Sequence, residues 1–117
     1  MNKPPSPGYQ VINRRAFSRK AFRQTVTVIH ATQTSQMQTS DISRDGICLL
    51  SPRPISPGSL CKVTFALPLV GGDTMVTAAV KVMYSSYTGP EGFKIGAAFS
   101  NLDAEAVDII MTFVAMP

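Results

Sequence analysis

Two stretches of strict apolar alternation constrain this chain more than any other feature. In residues 61–67, Cys61, Val63, Phe65 and Leu67 take one face, and Lys62, Thr64 and Ala66 take the other. In residues 76–84, Val76, Ala78, Val80, Val82 and Tyr84 alternate with Thr77, Ala79, Lys81 and Met83. Successive side chains on a strand point to opposite faces, so a period of two predicts half-buried β-strands. Gly71-Gly72-Asp73 between them fits a hairpin turn.

The remaining segments extend the same pattern. Residues 22–31, FRQTVTVIHA, are rich in β-branched side chains and read as a strand. Thr34 to Ser40 is polar and fits a solvent-exposed strand, and DISRDG (41–46) then reads as a turn before the apolar run Ile47 to Leu50. Three prolines and a glycine in residues 51–58 make that stretch a loop, and Gly89-Pro90-Glu91-Gly92 is another turn. Phe93, Ile95, Ala97 and Phe99 share one face of a last strand. The period then changes. Ala106, Ile109, Ile110, Phe113 and Val114 recur at helical spacing, with Asp103 placed as N-cap and Leu102 and Val107 as a staple. A helix this short is stable only when packed, so its seat is an open end or seam of the sheet. Short strands with turns between them predict a small antiparallel barrel or sandwich.

Composition narrows the class. The chain has 117 residues, 44% of them apolar and 15% charged. That suits one domain with one core. No apolar run approaches the ~20 residues that span a bilayer. Residues 1–13, with Pro4, Pro5, Pro7 and Gly8, read as a poorly ordered tail without a secretory apolar segment. Cys48 and Cys61 read as two reduced, buried thiols of a cytoplasmic protein. A lone histidine, His30, gives no metal cluster and removes most hydrolytic schemes that use histidine as base. Phosphate-binding glycine loops, nucleophile elbows and tuned carboxylate pairs are missing, so neither enzyme nor cofactor is expected. The net charge of +4 is uneven. Residues 1–40 hold six bases and no acid, whereas residues 41–117 hold five bases and all seven acids, a balance of −2.

Two motifs remain. Arg15-Ala-Phe-Ser-Arg19 is an RxxxR just before the first strand, and Asp41-Ile-Ser43-Arg-Asp-Gly46 is a DxSxxG between two strands. Together and in this order they resemble the PilZ domain, a receptor module for the bacterial second messenger cyclic di-GMP. The likeness extends to the proline loop before Gly58, the Lys81-Val82-Met83-Tyr84 strand and the Ile95-Gly96-Ala97-Ala98-Phe99 segment. It covers about residues 14–116, leaving residues 1–13 as the tail and 14–117 as the domain. The resemblance implies an all-β fold with one helix: a six-stranded antiparallel split barrel with a C-terminal α-helix. It also implies a non-enzymatic receptor that binds cyclic di-GMP through Arg14, Arg15, Arg19, Asp41, Ser43 and Gly46, with Tyr84 as a stacking platform.

Physical chemistry agrees with that site. Guanine presents O6 and N7 to an arginine fork, and guanidinium planes stack on purines. A carboxylate such as Asp41 accepts from the N1–H and N2–H edge, and Ser43 serves a phosphate or a base amino group. Gly46 suits a positive φ or a close ligand approach. Phe17 is read as packing on the barrel rim, and Lys81 and Arg23 as ordinary surface charges. Arg14 beside Arg15 adds a third fork, which favours an intercalated pair of ligand molecules over one. The expected mechanism is ordering of the N-terminal segment across the ligand, read by an unknown downstream protein in trans, with motility, adhesion or exopolysaccharide control as the family's setting. The rival readings are a PilZ-like protein adaptor that binds no nucleotide, disfavoured by the intact motifs, and a barrel that binds single-stranded nucleic acid, disfavoured by the acidic remainder.

Overall fold

Strands with one apolar face bury it most completely by curling a single sheet onto itself. A computed structural model describes residues 18–117 of the chain and shows that closure. The elements are β1 (Lys20–Ala21), β2 (Thr25–His30), β3 (Gln33–Ile42), β4 (Gly46–Ser51), β5 (Leu60–Leu69), β6 (Gly72–Tyr87), a 3-10 turn at Gly89–Glu91, β7 (Phe93–Ser100) and α1 (Ala104–Ala115). All pairings are antiparallel, in the order β3-β2-β5-β6-β7-β4. A β3–β4 pairing joins the two ends and closes a six-stranded barrel, as the resemblance implied. The residues that alternate along β5 and β6 fill it: Val63, Phe65, Leu67, Val80 and Val82 are all buried.

Short β1 continues the line of β2, since both pair with the same side of β3. The break between them, at residues 22–24, is why the first long strand starts at Thr25 and not at Phe22. Buried Thr39 holds it open: its hydroxyl donates to the Phe22 carbonyl (2.8 Å) and accepts from the Gln24 N–H (2.9 Å). The break turns Phe22 inward, where its ring meets Phe113 of α1 edge-on at 5.2 Å and Phe65 of β5 at 6.3 Å. Ile110 and Phe113 thereby join the barrel core. Asp103 caps α1 by accepting from the Ala106 N–H at 2.8 Å, as its position before the helix predicted.

Three local expectations are corrected. The β5–β6 hairpin pairs Leu69 with Gly72, so the turn is Val70-Gly71, and Gly72 and Asp73 already belong to β6. A two-residue loop matches the twist of the strands it joins. Second, a register shift between Val82 and Tyr84 breaks the alternation of β6, and both Met83 and Tyr84 are exposed, as an irregularity that re-aims side chains allows. Third, Asp41 and Ile42 finish β3, so only residues 43–45 of the DxSxxG turn.

Candidate functional site

The outer surface of β3, β4, β7 and β6 carries a cleft of about 710 Å³ that is lined by described residues of both motifs. Cross-strand register builds its floor. Cys48 pairs with Asp41 on one side and with Gly96 on the other, and Gly96 pairs with Tyr84. A row of four strands thus presents Asp41, Cys48, Gly96 and Tyr84 side by side.

Arg19 reaches into the cleft from the segment before β1. Its Nε donates to Asp41 Oδ1 at 2.6 Å, its Nη1 to Ser43 Oγ at 3.1 Å and its Nη2 to Cys48 Sγ at 3.6 Å. Two motifs whose residues stand 22 positions apart in sequence therefore meet in one ion pair. Lys94 of β7 approaches Asp41 from the opposite side, with Nζ 3.7 Å from Oδ2. Burial would push the Asp41 carboxyl up, but the Arg19 hydrogen bond and charge, with Lys94 and Ser40, hold it below its ordinary value. Opposite charge and hydrogen bonding to the charged form outweigh desolvation there. Burial likewise works against the Arg19 charge and is outweighed by the hydrogen bond and charge of Asp41, so the guanidinium stays above its ordinary value.

Ser43 is buried and organises the turn. Its hydroxyl accepts from the N–H groups of Asp45 (3.1 Å) and Gly46 (3.3 Å) as well as from Arg19. Gly46 lines the cleft but lacks the positive φ that its sequence position allowed. Its missing side chain admits the Ala97 carbonyl of neighbouring β7, where a Cβ would collide. Gly46 is thus required by strand approach.

Tyr84 lies with its ring across Gly96, where a Cβ would run into the ring atoms. Its hydroxyl is 3.4 Å from Cys48 Sγ. The hydrogen bond with Cys48, then burial, push the phenol up to about 12. The residue is 43% exposed, so one side of the ring faces the cleft.

The structure brings Arg19, Asp41, Ser43, Gly46 and Tyr84 together, whereas Arg14, Arg15 and Phe17 lie outside the described residues. Cys48, Lys94 and Gly96 are site residues that the sequence reading missed. A glycine inside a strand often marks a close approach, so Gly96 carried a readable signal. Cys48 and Lys94 carried none, because cross-strand register places them. Among the described residues, no group of three His, Cys, Asp or Glu side chains could hold a metal, and no helix is long and apolar enough to cross a membrane.

Comparison with known proteins points the same way. The chain matches the family model described as PilZ domain over residues 13–116. No curated protein sequence matches it. Among solved structures it is similar to the Bacillus subtilis inhibitor of motility MotI/DgrA, with TM-score 0.75 and 17% identity over 86% of this chain and 49% of that one. It is also similar to the PilZ domain of Escherichia coli YcgR with c-di-GMP, with TM-score 0.67 and 14% identity over 86% of this chain and 88% of that one. The K. pneumonia MrkH–c-di-GMP complex gives TM-score 0.64 and 17% identity over 84% of this chain and 49% of that one. The chain spans about half the length of MotI/DgrA and MrkH. At these identities the likeness is one of fold.

Proposed function

The chain belongs to the PilZ domain family, and on that premise we propose that it is a non-enzymatic receptor for cyclic di-GMP. The observation that carries this reading is the convergence of Arg19, Asp41 and Ser43, drawn from two separate motifs, in one cleft beside the face of Tyr84. Two of the similar structures are described as c-di-GMP complexes.

Binding is an exchange of partners. Asp41, its carboxyl held below the ordinary value, is a carboxylate at neutral pH and accepts from the N1–H and N2–H edge of guanine. Arg19, released from Asp41, turns its fork to O6 and N7 or to a phosphate. Ser43 donates to a phosphate oxygen, and Tyr84 stacks beneath the base. Arg14 and Arg15 add phosphate forks from the N-terminal segment, and their pairing favours two ligand molecules per chain. Lys94 stays with Asp41 through the exchange and keeps it ionised. The displaced arginine segment then presents a changed surface to a partner protein in the cytoplasm, in motility, adhesion or exopolysaccharide control.

Calorimetric titration of cyclic di-GMP into wild type, Arg19→Ala and Asp41→Ala tests the reading. Loss of one charge-assisted contact costs on the order of 1.5–3 kcal/mol, so each variant binds roughly tenfold or more weakly. Equal affinity in all three removes the site assignment. No binding by wild type favours a nucleotide-independent adaptor.

A further inference from the structure

A second cleft, of about 530 Å³, adjoins the first, lined in part by Arg23, Glu91, Tyr87, Phe93 and Leu50. The two share no lining residue and meet at a cross-strand pair. Lys94 lines the first, Leu50 lines the second, and these two residues are partners in the β4–β7 register. Leu50 stands two positions beyond Cys48 on the same strand, β4.

The second cleft repeats the chemistry of the first. Arg19, Asp41 and Tyr84 are matched by Arg23, Glu91 and Tyr87, an arginine, a carboxylate and a tyrosine. Arg19 and Arg23 flank β1, and both tyrosines belong to β6. Arg23 Nη2 lies 4.0 Å from Glu91 Oε2, with side chains 59% and 60% exposed. Such an exposed pair contributes little to stability and gives up its partner at little cost. Tyr87 meets Phe93 edge-on at 5.5 Å yet is 73% exposed, so packing explains only a small part of its surface.

We propose that this cleft is a second guanine subsite, in which Glu91 accepts from the N1–H and N2–H edge, Arg23 donates to O6 and N7, and Tyr87 carries the ring. The inference rests on the receptor reading of the first cleft, because cyclic di-GMP brings more than one guanine. The base comes either from the far half of the same molecule or from a second molecule, and stoichiometry separates these sources.

Calorimetry on the full chain, with cyclic di-GMP as titrant, tests the subsite in Glu91→Gln and Tyr87→Ala. Both positions are exposed, so melting temperatures near that of wild type are expected. Each variant is expected to bind about tenfold more weakly. The sign for Glu91→Gln is diagnostic. Removing a negative charge near an anionic ligand strengthens unspecific attraction, so weaker binding reports lost base recognition. One ligand per chain in wild type assigns the base to the same molecule, and two assign it to a second. Unchanged or tighter binding by both variants, with Asp41→Ala still weakened, overturns the subsite alone. No binding by wild type overturns the receptor reading and the subsite with it.

Discussion

Tyr84 owes its place to two neighbours, the bare Cα of Gly96 beneath its ring and the Cys48 thiol at its hydroxyl. Each can be removed alone. Gly96→Ala drives a methyl group into the ring and must displace it, so cyclic di-GMP affinity is expected to fall by roughly the 1–3 kcal/mol a base–aromatic stack contributes. Calorimetry beside Tyr84→Ala checks this, and a Gly96→Ala affinity equal to wild type removes the platform role. Cys48→Ala acts on the phenol. Its folded value of about 12 lies above the ordinary value near 10, so the neutral phenol adds stability below about pH 10. That contribution is lost as pH rises through the folded value of about 12, by linkage of proton binding to folding. In Cys48→Ala the phenolate absorbance should titrate nearer its ordinary value, whereas Cys48→Ser keeps a hydroxyl in place and holds it high; Tyr84→Phe identifies the step. Asp41 has the opposite sign. Its value is depressed, so its contribution is full above the ordinary carboxylate value near 4 and disappears as pH falls through the lower folded value. Replacing Arg19 by methionine should move the Asp41 titration upward, followed by NMR of the side-chain carboxyl. An unmoved titration would assign the depression to Lys94.

The arginine segment touches two elements at once. Arg19 enters the cleft, while Lys20, the next residue, donates from Nζ to the carbonyls of Phe113 and Met116, each at 3.0 Å. The ammonium also lies 4.2 Å over the Phe113 ring. A cation at a helix C-terminus satisfies orphan carbonyls and opposes the helix dipole. One backbone step thus separates the contents of the cleft from the end of α1, so that in the proposed receptor the helix would respond to Arg19 movement. Lys20→Met keeps the apolar stem and removes the charge. It is expected to cost about 1 kcal/mol and to speed amide exchange at the C-terminal turn of α1. Exchange as slow as in wild type would mean Phe22 and Phe113 hold the helix unaided. The contrast between these elements shows what the sequence displayed. Strands β5 and β6 and helix α1 were readable because burial on one face imposes a period that neighbouring residues record. The break at residues 22–24 and the shift after Val82 were hidden, because each depends on residues of another strand, Thr39 in the first case. The site divides the same way. Arg19, Asp41 and Ser43 stood out because two short motifs, in order, resemble those of the PilZ domain, whereas Cys48 and Lys94 reach the cleft only through the register of β3, β4 and β7.

At the scale of the molecule, the charge distribution argues against a general polyanion surface on the described barrel. Residues 18–117 hold eight bases (Arg19, Lys20, Arg23, Arg44, Arg53, Lys62, Lys81, Lys94) and all seven acids, a balance of +1. Residues 1–17 hold Lys3, Arg14 and Arg15, which supply the other +3 of the net +4. A groove that tracks single-stranded nucleic acid needs positive charge along its course. Here Lys94 and Arg19 in the first cleft face Asp41, and Arg23 in the second faces Glu91. The N-terminal segment adds Arg14 and Arg15, proposed above as phosphate forks, to the charge of the described residues. This locates a boundary. A chain starting at residue 14 keeps Arg14 and Arg15, and we expect it to melt and bind cyclic di-GMP like the full chain. A chain starting at residue 18 keeps Arg19, Phe22 and the barrel core formed by the described residues, so its melting temperature is expected to stay close to that of the full chain. It loses Arg14 and Arg15, the two forks proposed for phosphate; at on the order of 1.5–3 kcal/mol for each such contact, the proposal expects at least a hundredfold weaker binding. Its binding should also respond less to added salt, because fewer charges meet the phosphates. Undiminished affinity in the shorter chain would confine the receptor to Arg19, Asp41 and Ser43 and leave Arg14 and Arg15 without a ligand role.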